Sequence, residues 1–201
     1  MKEFTVYVYV DGLCEPRNPL GVATYGFVVY DNDRKVHEEY GVVGAGFLGD
    51  DVSNNVAEYT AVIKALEWLL KNKMHERLIE IRSDSQLLVR QLQGYYSVRA
   101  PRIVPLYKKV VDLERSFRMV KYVWIPREYN IEADELSRRA YYDFCRKHDK
   151  EIREHYGAYL ITEKQKAFIK RLASRKGIEV KVSDYMSKRE ASKLISSLLK
   201  E

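Results

Sequence analysis

The chain reads as an α/β protein, a five-stranded mixed sheet flanked by helices and followed by a small helical domain. Three observations predict this. Three strand-like stretches come first and are joined by short links, as in an antiparallel meander. Two further strands are each reached through helical sequence, which adds them to the same sheet in parallel. Beyond about residue 149 the composition turns basic and two short amphipathic helices follow.

Phe4, Val6, Val8 and Val10 recur every second residue, and the interposed Thr5, Tyr7 and Tyr9 are β-formers, so the period predicts an interior strand covered on both faces. The run stops at Asp11. A carboxylate there either caps a turn or is paired, solvated or metal-bound, because burying it alone costs several kcal/mol or neutralises it. Gly12 lets another backbone, a phosphate or a substrate come close.

Leu13 to Leu20, with two prolines and Asn18, reads as a loop. Residues 21–30 form the second strand, Asp31-Asn32-Asp33 a turn, and 35–43 the third strand. Gly44 to Asp51 closes the meander. Val62, Ala65, Leu66 and Leu69 fall at i, i+3, i+4 and i+7 and predict a helix over 57–71. Ser53, Asn54 and Asn55 are its candidate N-caps, and Glu58 then lies in the first turn, where exposed amides favour an acid.

The LIEIR strand at 78–82 is broken by Ser83-Asp84-Ser85. Gln86 to Gln93 is a helix closed by Gly94, and Pro101 and Pro105 bracket the start of another running to about Ser116. The last strand spans 119–125, Pro126 to Asn130 is a turn, and a helix runs from Ile131 to about His148.

Residues 1–148 form the first domain and 149–160, polar in character, a linker or a continued helix. The small basic domain occupies 161–201. Thr162 and Gln165 make a capping box for a helix with Phe168, Ile169, Leu172 and Ala173 as its apolar stripe and Gly177 as its C-cap. Ser187 and Glu190 make a second box, ahead of Ala191, Leu194, Ile195, Leu198 and Leu199. A unit of about 40 residues is too small to be very stable alone, so it docks on the body or dimerises.

Hydrophobic residues are 46% and charged residues 32% of the chain, which excludes a disordered or fibrous protein. No apolar run approaches the roughly 18 residues of a membrane span, and no apolar leader precedes the first strand, so a cytoplasmic protein with no membrane partner is expected. Cys14 and Cys145 stand in no metal-ligand spacing and read as free thiols, with one disulfide as the alternative. The net charge of +6 is uneven: residues 1–149 carry 22 Lys and Arg against 22 Asp and Glu, and residues 150–201 carry 13 against 7. A neutral body with a basic appendage fits a catalytic domain joined to a polyanion-binding one, and also fits a plain solvated surface.

Four acids occupy equivalent topological places. Asp11 ends the first strand, Glu58 opens the first helix, Asp84 ends the fourth strand and Asp134 opens the helix after the fifth. If strands one and four are parallel neighbours, these side chains converge at one sheet edge. Four such carboxylates do not all stay ionised without a counter-charge. An all-oxygen set without His or Cys suits magnesium or manganese, and two such ions activate a water and stabilise a leaving oxygen at a phosphodiester. Taken singly, each acid reads equally as a cap or surface group.

YVDG at 9–12, NNVAEYTAVIKALEWL at 54–69, IRSDSQLLVRQLQG at 81–94 and WIPREYNIEADELSR at 124–138 together resemble the ribonuclease H type 1 family, particularly its short archaeal and RNase-H-like-domain branches. The resemblance spans about residues 1–147 with all blocks in order. It implies that Asp11, Glu58, Asp84 and Asp134 hold two Mg2+ (or Mn2+) ions, and that the RNA strand of an RNA–DNA hybrid is cut to leave a 5′-phosphate and a 3′-hydroxyl. It also implies that Asn54 and Gln86, with Asn18 a looser match, read the RNA strand from the minor groove, where amides bond the 2′-hydroxyl that marks RNA. Gly12, Asn55 and Arg127 join them as candidate substrate contacts.

Two departures from the family pattern stand out. The loop at 126–130 holds no His, the chain's histidines being 37, 75, 148 and 155, and Arg127 or Glu128 takes roughly that place. Between Asp84 and Trp124 the chain lacks an extra helix with a basic handle, so the basic tail is expected to supply grip on nucleic acid, with a protein partner as the other reading. Cleavage of double-stranded RNA and weakly catalytic hybrid binding are the alternatives. A monomer is expected.

Overall fold

The computed structural model of the chain describes residues 5–200; Phe4, predicted to open the first strand, lies outside the described residues. Strands β1 (Thr5–Glu15), β2 (Val22–Asp31), β3 (Arg34–Ala45), β4 (Leu78–Ser83) and β5 (Met119–Trp124) form one sheet in the order β3-β2-β1-β4-β5. The first three pair antiparallel, and β4 runs parallel to both β1 and β5. The helices are α1 (Asn54–Lys71), α2 (Gln86–Leu92), α3 (Val104–Glu114), α4 (Ile131–Lys147), α5 (Asp149–Tyr156), α6 (Glu163–Lys176) and α7 (Lys188–Lys200). The mixed sheet and its flanking helices match the sequence reading.

One face of the sheet is buried as the period demands. Val6, Val8 and Val10 are fully enclosed with Val62, Leu66 and Leu69 of α1 and Ile79 and Ile81 of β4. The other face departs from expectation, since Thr5, Tyr7 and Tyr9 remain half-exposed. On that side α4 packs against β1, β2 and β3 and leaves these three residues uncovered. Arg82 instead lies 4.1 Å over the Tyr7 ring and donates to the Tyr9 hydroxyl at 2.6 Å.

The strand also runs further than its apolar run suggested. Parallel pairing of β1 with β4 ends at Tyr9 and Arg82, while antiparallel pairing with β2 continues from Asp11 opposite Gly26 to Glu15 opposite Val22. Asp11 is therefore where β1 loses one neighbour, not where it stops. Residues 13–15, expected as loop, belong to the strand because β2 keeps bonding them.

Two glycines then decide how close the helices come. A Cβ on Gly12 would lie 2.2 Å from the Glu58 nitrogen of α1, and one on Gly26 would lie 2.7 Å from Ala133 O, Leu136 Cβ and Ser137 N of α4. Only a residue without a side chain lets each helix backbone rest there.

Past residue 148 the chain stays ordered. Residues 149–160, expected as a linker or a continued helix, are helical, forming α5 and a 3-10 turn over Gly157–Tyr159. Ile152 and Tyr156 are buried with Leu13, Val22, Ala45, Tyr141 and Cys145, so this stretch is part of the body's packing. Helix α6 has both halves of its capping box, and Gly177 ends it in the left-handed conformation, as the sequence predicts. In α7 only half of the second box forms. The Glu190 amide donates to Ser187 Oγ at 3.1 Å, but the Glu190 carboxylate accepts from Arg138 instead.

The C-terminal unit has its own small core of Ile161, Ile169, Leu172, Met186, Ala191 and Leu198. It docks on the body, one of the two outcomes its size allowed. Leu160 and Ser187 form an antiparallel β-bridge, the Tyr141 hydroxyl donates to Tyr185 O at 2.8 Å and Lys188 Nζ to Ala158 O at 2.7 Å. Cys14 and Cys145 are both buried and free. Among the described residues no helix is long and apolar enough to cross a membrane.

Overpacking a tight backbone contact costs about 1–3 kcal/mol. Gly26→Ala should therefore lower Tm by about 3–10 °C in a thermal circular-dichroism melt. Gly157→Ala, whose added carbon meets nothing within 4 Å, should leave Tm within about 2 °C.

Candidate active site

Asp11, Glu58, Asp84 and Asp134 line a single cavity of about 650 Å³. It opens where the parallel pairing of β1 with β4 runs out. Gly12, Asn18, Asn54, Asn55 and Arg127 line it as well. Gln86 is not among the lining residues; it sits exposed at the first position of α2, one residue beyond Ser85, which does line the cavity.

Each carboxylate is held by its own neighbours. Ser137 Oγ donates to Asp11 Oδ2 at 2.5 Å, across the approach that Gly26 permits. Glu58 accepts from Ser85 Oγ at 2.7 Å and from Asn54 Nδ2 at 2.8 Å. Asn130, buried in the turn before α4, donates through Nδ2 to Asp84 Oδ1 at 2.8 Å and to Val10 O at 3.0 Å. Asp134 is gripped on both oxygens, by Arg127 on one and by Arg138 Nε on the other at 2.7 Å.

The local fold behind these contacts differs from the sequence reading in two respects. Ser53 is the N-cap of α1, its side chain accepting from the Val56 amide, so the helix begins at Asn54. Glu58 consequently lies in the second turn, and helix-end electrostatics do not explain it. Asn54, left free of capping, turns its amide to Glu58, while its own backbone N–H donates to Asn18 Oδ1 at 2.9 Å. Asn18 thus ties the first loop to the start of α1.

Like charges and burial act together here. Burial pushes the Asp11 carboxyl up to about 7, with the charges of Asp134 and Asp84 adding to it and the Ser137 hydrogen bond opposing. Burial likewise raises Glu58 to about 8, helped by Asp11 and Asp84 and opposed by the Ser85 bond. Each of the two thus feels the charge of others in the set.

A donor set of four carboxylates with no nitrogen or sulfur is the chemistry of a hard divalent cation, and its unbalanced negative charge is what such an ion would relieve. The residue types fit. Among the described residues, however, no group of three or more His, Cys, Asp or Glu is arranged to hold an ion. The serine, amide and arginine contacts described above occupy the carboxylate oxygens instead.

Several lining residues had no signal in the reading of single motifs. Ser85 stood in the sequence only as a strand breaker. Arg138 follows Asp134 by four positions, a spacing at which helix side chains meet, and Ser137 by three. Glu15, Arg189, Glu190 and Lys193 also line the cavity, the last three from α7. Arg138 Nη1 donates to Glu190 Oε1 at 2.5 Å and Arg189 Nη2 to the buried Glu15 Oε1 at 3.1 Å, so the C-terminal unit forms one wall.

A five-stranded mixed sheet in this order, with acids from β1, α1, the end of β4 and α4 gathered at one edge, defines a ribonuclease H-like α/β fold. A sequence profile for a family described as reverse transcriptase-like matches residues 10–140. The chain belongs to this family and, within it, is a ribonuclease H1-like protein. The profile ends inside α4, so α5–α7 lie beyond it.

The bifunctional protein Rv2228c of Mycobacterium tuberculosis is 34% identical over 125 residues, 61% of this chain and 32% of that protein. The chain thus spans about a third of the length of the first curated relatives it matches. RNase H1 of the halophilic archaeon Halobacterium salinarum superposes with a TM-score of 0.61 at 31% identity, covering 69% of this chain and 98% of that one. LC11-RNase H1, solved in complex with an RNA/DNA hybrid, gives a TM-score of 0.61 at 34% identity and covers 67% and 95%.

Between the ordinary carboxylate range near about pH 4 and about pH 8, the folded protein binds more protons at Asp11 and Glu58 than the unfolded chain does, so its stability falls as pH rises. Urea melts of chelator-treated protein should therefore show a midpoint that decreases across this range. Asp11→Asn should flatten that dependence, and a midpoint rising with pH would contradict the raised values.

Proposed function

We propose that the protein hydrolyses the RNA strand of RNA–DNA hybrids in a divalent-metal-dependent reaction. The single observation that carries this reading is that four acids from four separate elements line one cavity at the sheet edge of a ribonuclease H-like fold. The likeness to LC11-RNase H1, whose structure was solved with such a hybrid, supports the substrate class.

In this reading Asp11, Glu58, Asp84 and Asp134 hold two magnesium or manganese ions. Ions held there would supply a water of lowered pKa and a positive charge beside the phosphate and the departing oxygen. The chain's own part is positional. Ser137, Ser85, Asn54 and Asn130 fix the directions of three carboxylates, and only a fixed set spends no free energy on reorganising during the reaction. The water oxygen bonds to phosphorus while the bond from phosphorus to the 3′ oxygen breaks. The water gives up its proton and the 3′ oxygen takes one, which leaves a 5′-phosphate and a 3′-hydroxyl.

Asn18, Asn54, Asn55 and Gln86 supply neutral amides for base edges and the 2′-hydroxyl, and Gly12, whose missing side chain admits the α1 backbone, lines the same cavity as a backbone contact. Arg127, exposed at the rim where a histidine is absent, offers its guanidinium to a phosphate once it releases Asp134. One feature favours a second reading, a hybrid-binding module of low activity: both oxygens of Asp134 are already taken by arginines.

Side-by-side cleavage of labelled hybrid, duplex RNA and duplex DNA in magnesium or manganese tests the proposal. Hybrid should be cut and duplex DNA spared, and cutting of duplex RNA would widen the substrate class. Asp11→Asn and Asp84→Asn should each lose at least about 100-fold in kcat while binding hybrid nearly as well as the parent protein. Parent-like rates in either variant would overturn the assignment.

A further inference from the structure

We propose that the outward face of α7 is a track for the sugar-phosphate backbone of the nucleic acid, leading away from the carboxylates. This rests on the hybrid-hydrolase reading of the cavity and names a surface that the reading does not supply. Helix α7 turns Ala191, Leu194, Ile195 and Leu198 toward its own small core. Arg189, Ser192, Lys193, Ser196, Ser197 and Lys200 recur at helical spacing on the opposite, exposed face. Those six residues line an open groove of about 610 Å³. Arg189 and Lys193 line the carboxylate cavity too, so the groove continues the site.

Charge and shape both favour a polyanion. The stripe contains three cations and no acid. Lys193 and Lys200 have no carboxylate partner among the described residues, whereas Lys35, Lys109 and Lys166 do. Serines between the cations keep the surface low, and Ser192 and Ser197 already donate to carbonyls of their own helix, so the charged groups dominate recognition. From Arg189 to Lys200 the helix rises roughly 16 Å, or about five nucleotide steps of a strand.

The track has a fixed aim. Arg189 bonds Glu15 of β1 and Glu190 bonds Arg138 of α4, so α7 is anchored at its cavity end to the two elements that carry Asp11 and Asp134. A stripe on a freely tethered domain would have no set direction relative to the scissile phosphate.

Binding of a labelled RNA–DNA hybrid to the full chain, followed by anisotropy in EDTA over a salt series, provides the test, with cleavage in magnesium measured alongside. Lys193→Gln/Lys200→Gln should weaken binding about 5- to 30-fold at low salt and reduce the slope of log Kd against log salt by about 1–2. Lys164→Gln/Lys170→Gln, which removes the same charge from exposed positions on α6, should change neither by more than about twofold. Parent-like affinity and slope in the first pair, with the parent protein cutting hybrid, would overturn the track and leave the hydrolase reading standing. A parent that binds through the stripe without cutting would overturn the hydrolase reading alone, and a parent that does neither would overturn both.

Discussion

Two helix backbones rest directly against neighbouring strands of one hairpin, at Gly12 and Gly26, and this contact sets the chemistry of the site. With α1 and α4 pressed onto β1 and β2 from opposite sides, Glu58 is brought into the same cavity as Asp11 whether or not their charges favour it, and Ser137 is brought within hydrogen-bond reach of Asp11. The cost appears as carboxyls pushed well above their ordinary range. Packing against close-fitting backbone outweighs the cost of burying these acids beside one another, and a serine, an asparagine or an arginine beside each acid offsets part of it.

The same economy explains the C-terminal unit. Its core of six buried side chains is small, and its helices lie beyond the part of the chain that the family profile describes. What holds it to the body is largely polar: a β-bridge between Leu160 and Ser187, a tyrosine hydroxyl donating to Tyr185 O and two ion pairs from α7. Glu190 illustrates the trade. Its position suits it to cap its own helix, but its carboxylate goes to Arg138, so one end of α7 is less well capped and the interface is better tied.

Much of this was legible in the sequence, and the failures have physical causes. Apolar spacing, with Gly, Pro and capping residues marking the ends, located the five strands and six of the seven helices found among the described residues, because burial leaves a periodic trace and helix limits have local chemistry. Thr162, Gln165 and Gly177 announced the limits of α6 through backbone chemistry that is local. Helix α5 left little trace, since only Ile152 and Tyr156 of its eight residues are buried. The extent of β1 past Asp11 depended on β2 as a partner, and the exposure of Tyr7 and Tyr9 on where α4 happens to lie. The four acids were recognisable as a set through their equivalent places at strand and helix ends and through the order of the motif blocks. The contacts that Asn130, Arg189 and Glu190 make carried no signal, because their partners are more than forty residues away.

Because β1 does not end at Asp11, one unbroken strand carries Asp11 and Glu15 on the same side, roughly 13 Å apart. Asp11 belongs to the ribonuclease H-like scaffold, while Glu15 is the foothold of the appended helices. The two modules are therefore bolted to a common rail and cannot drift as beads on a string. A neutral side chain at position 15 would therefore loosen the end of α7 that borders the carboxylate cavity, on the very strand that carries Asp11.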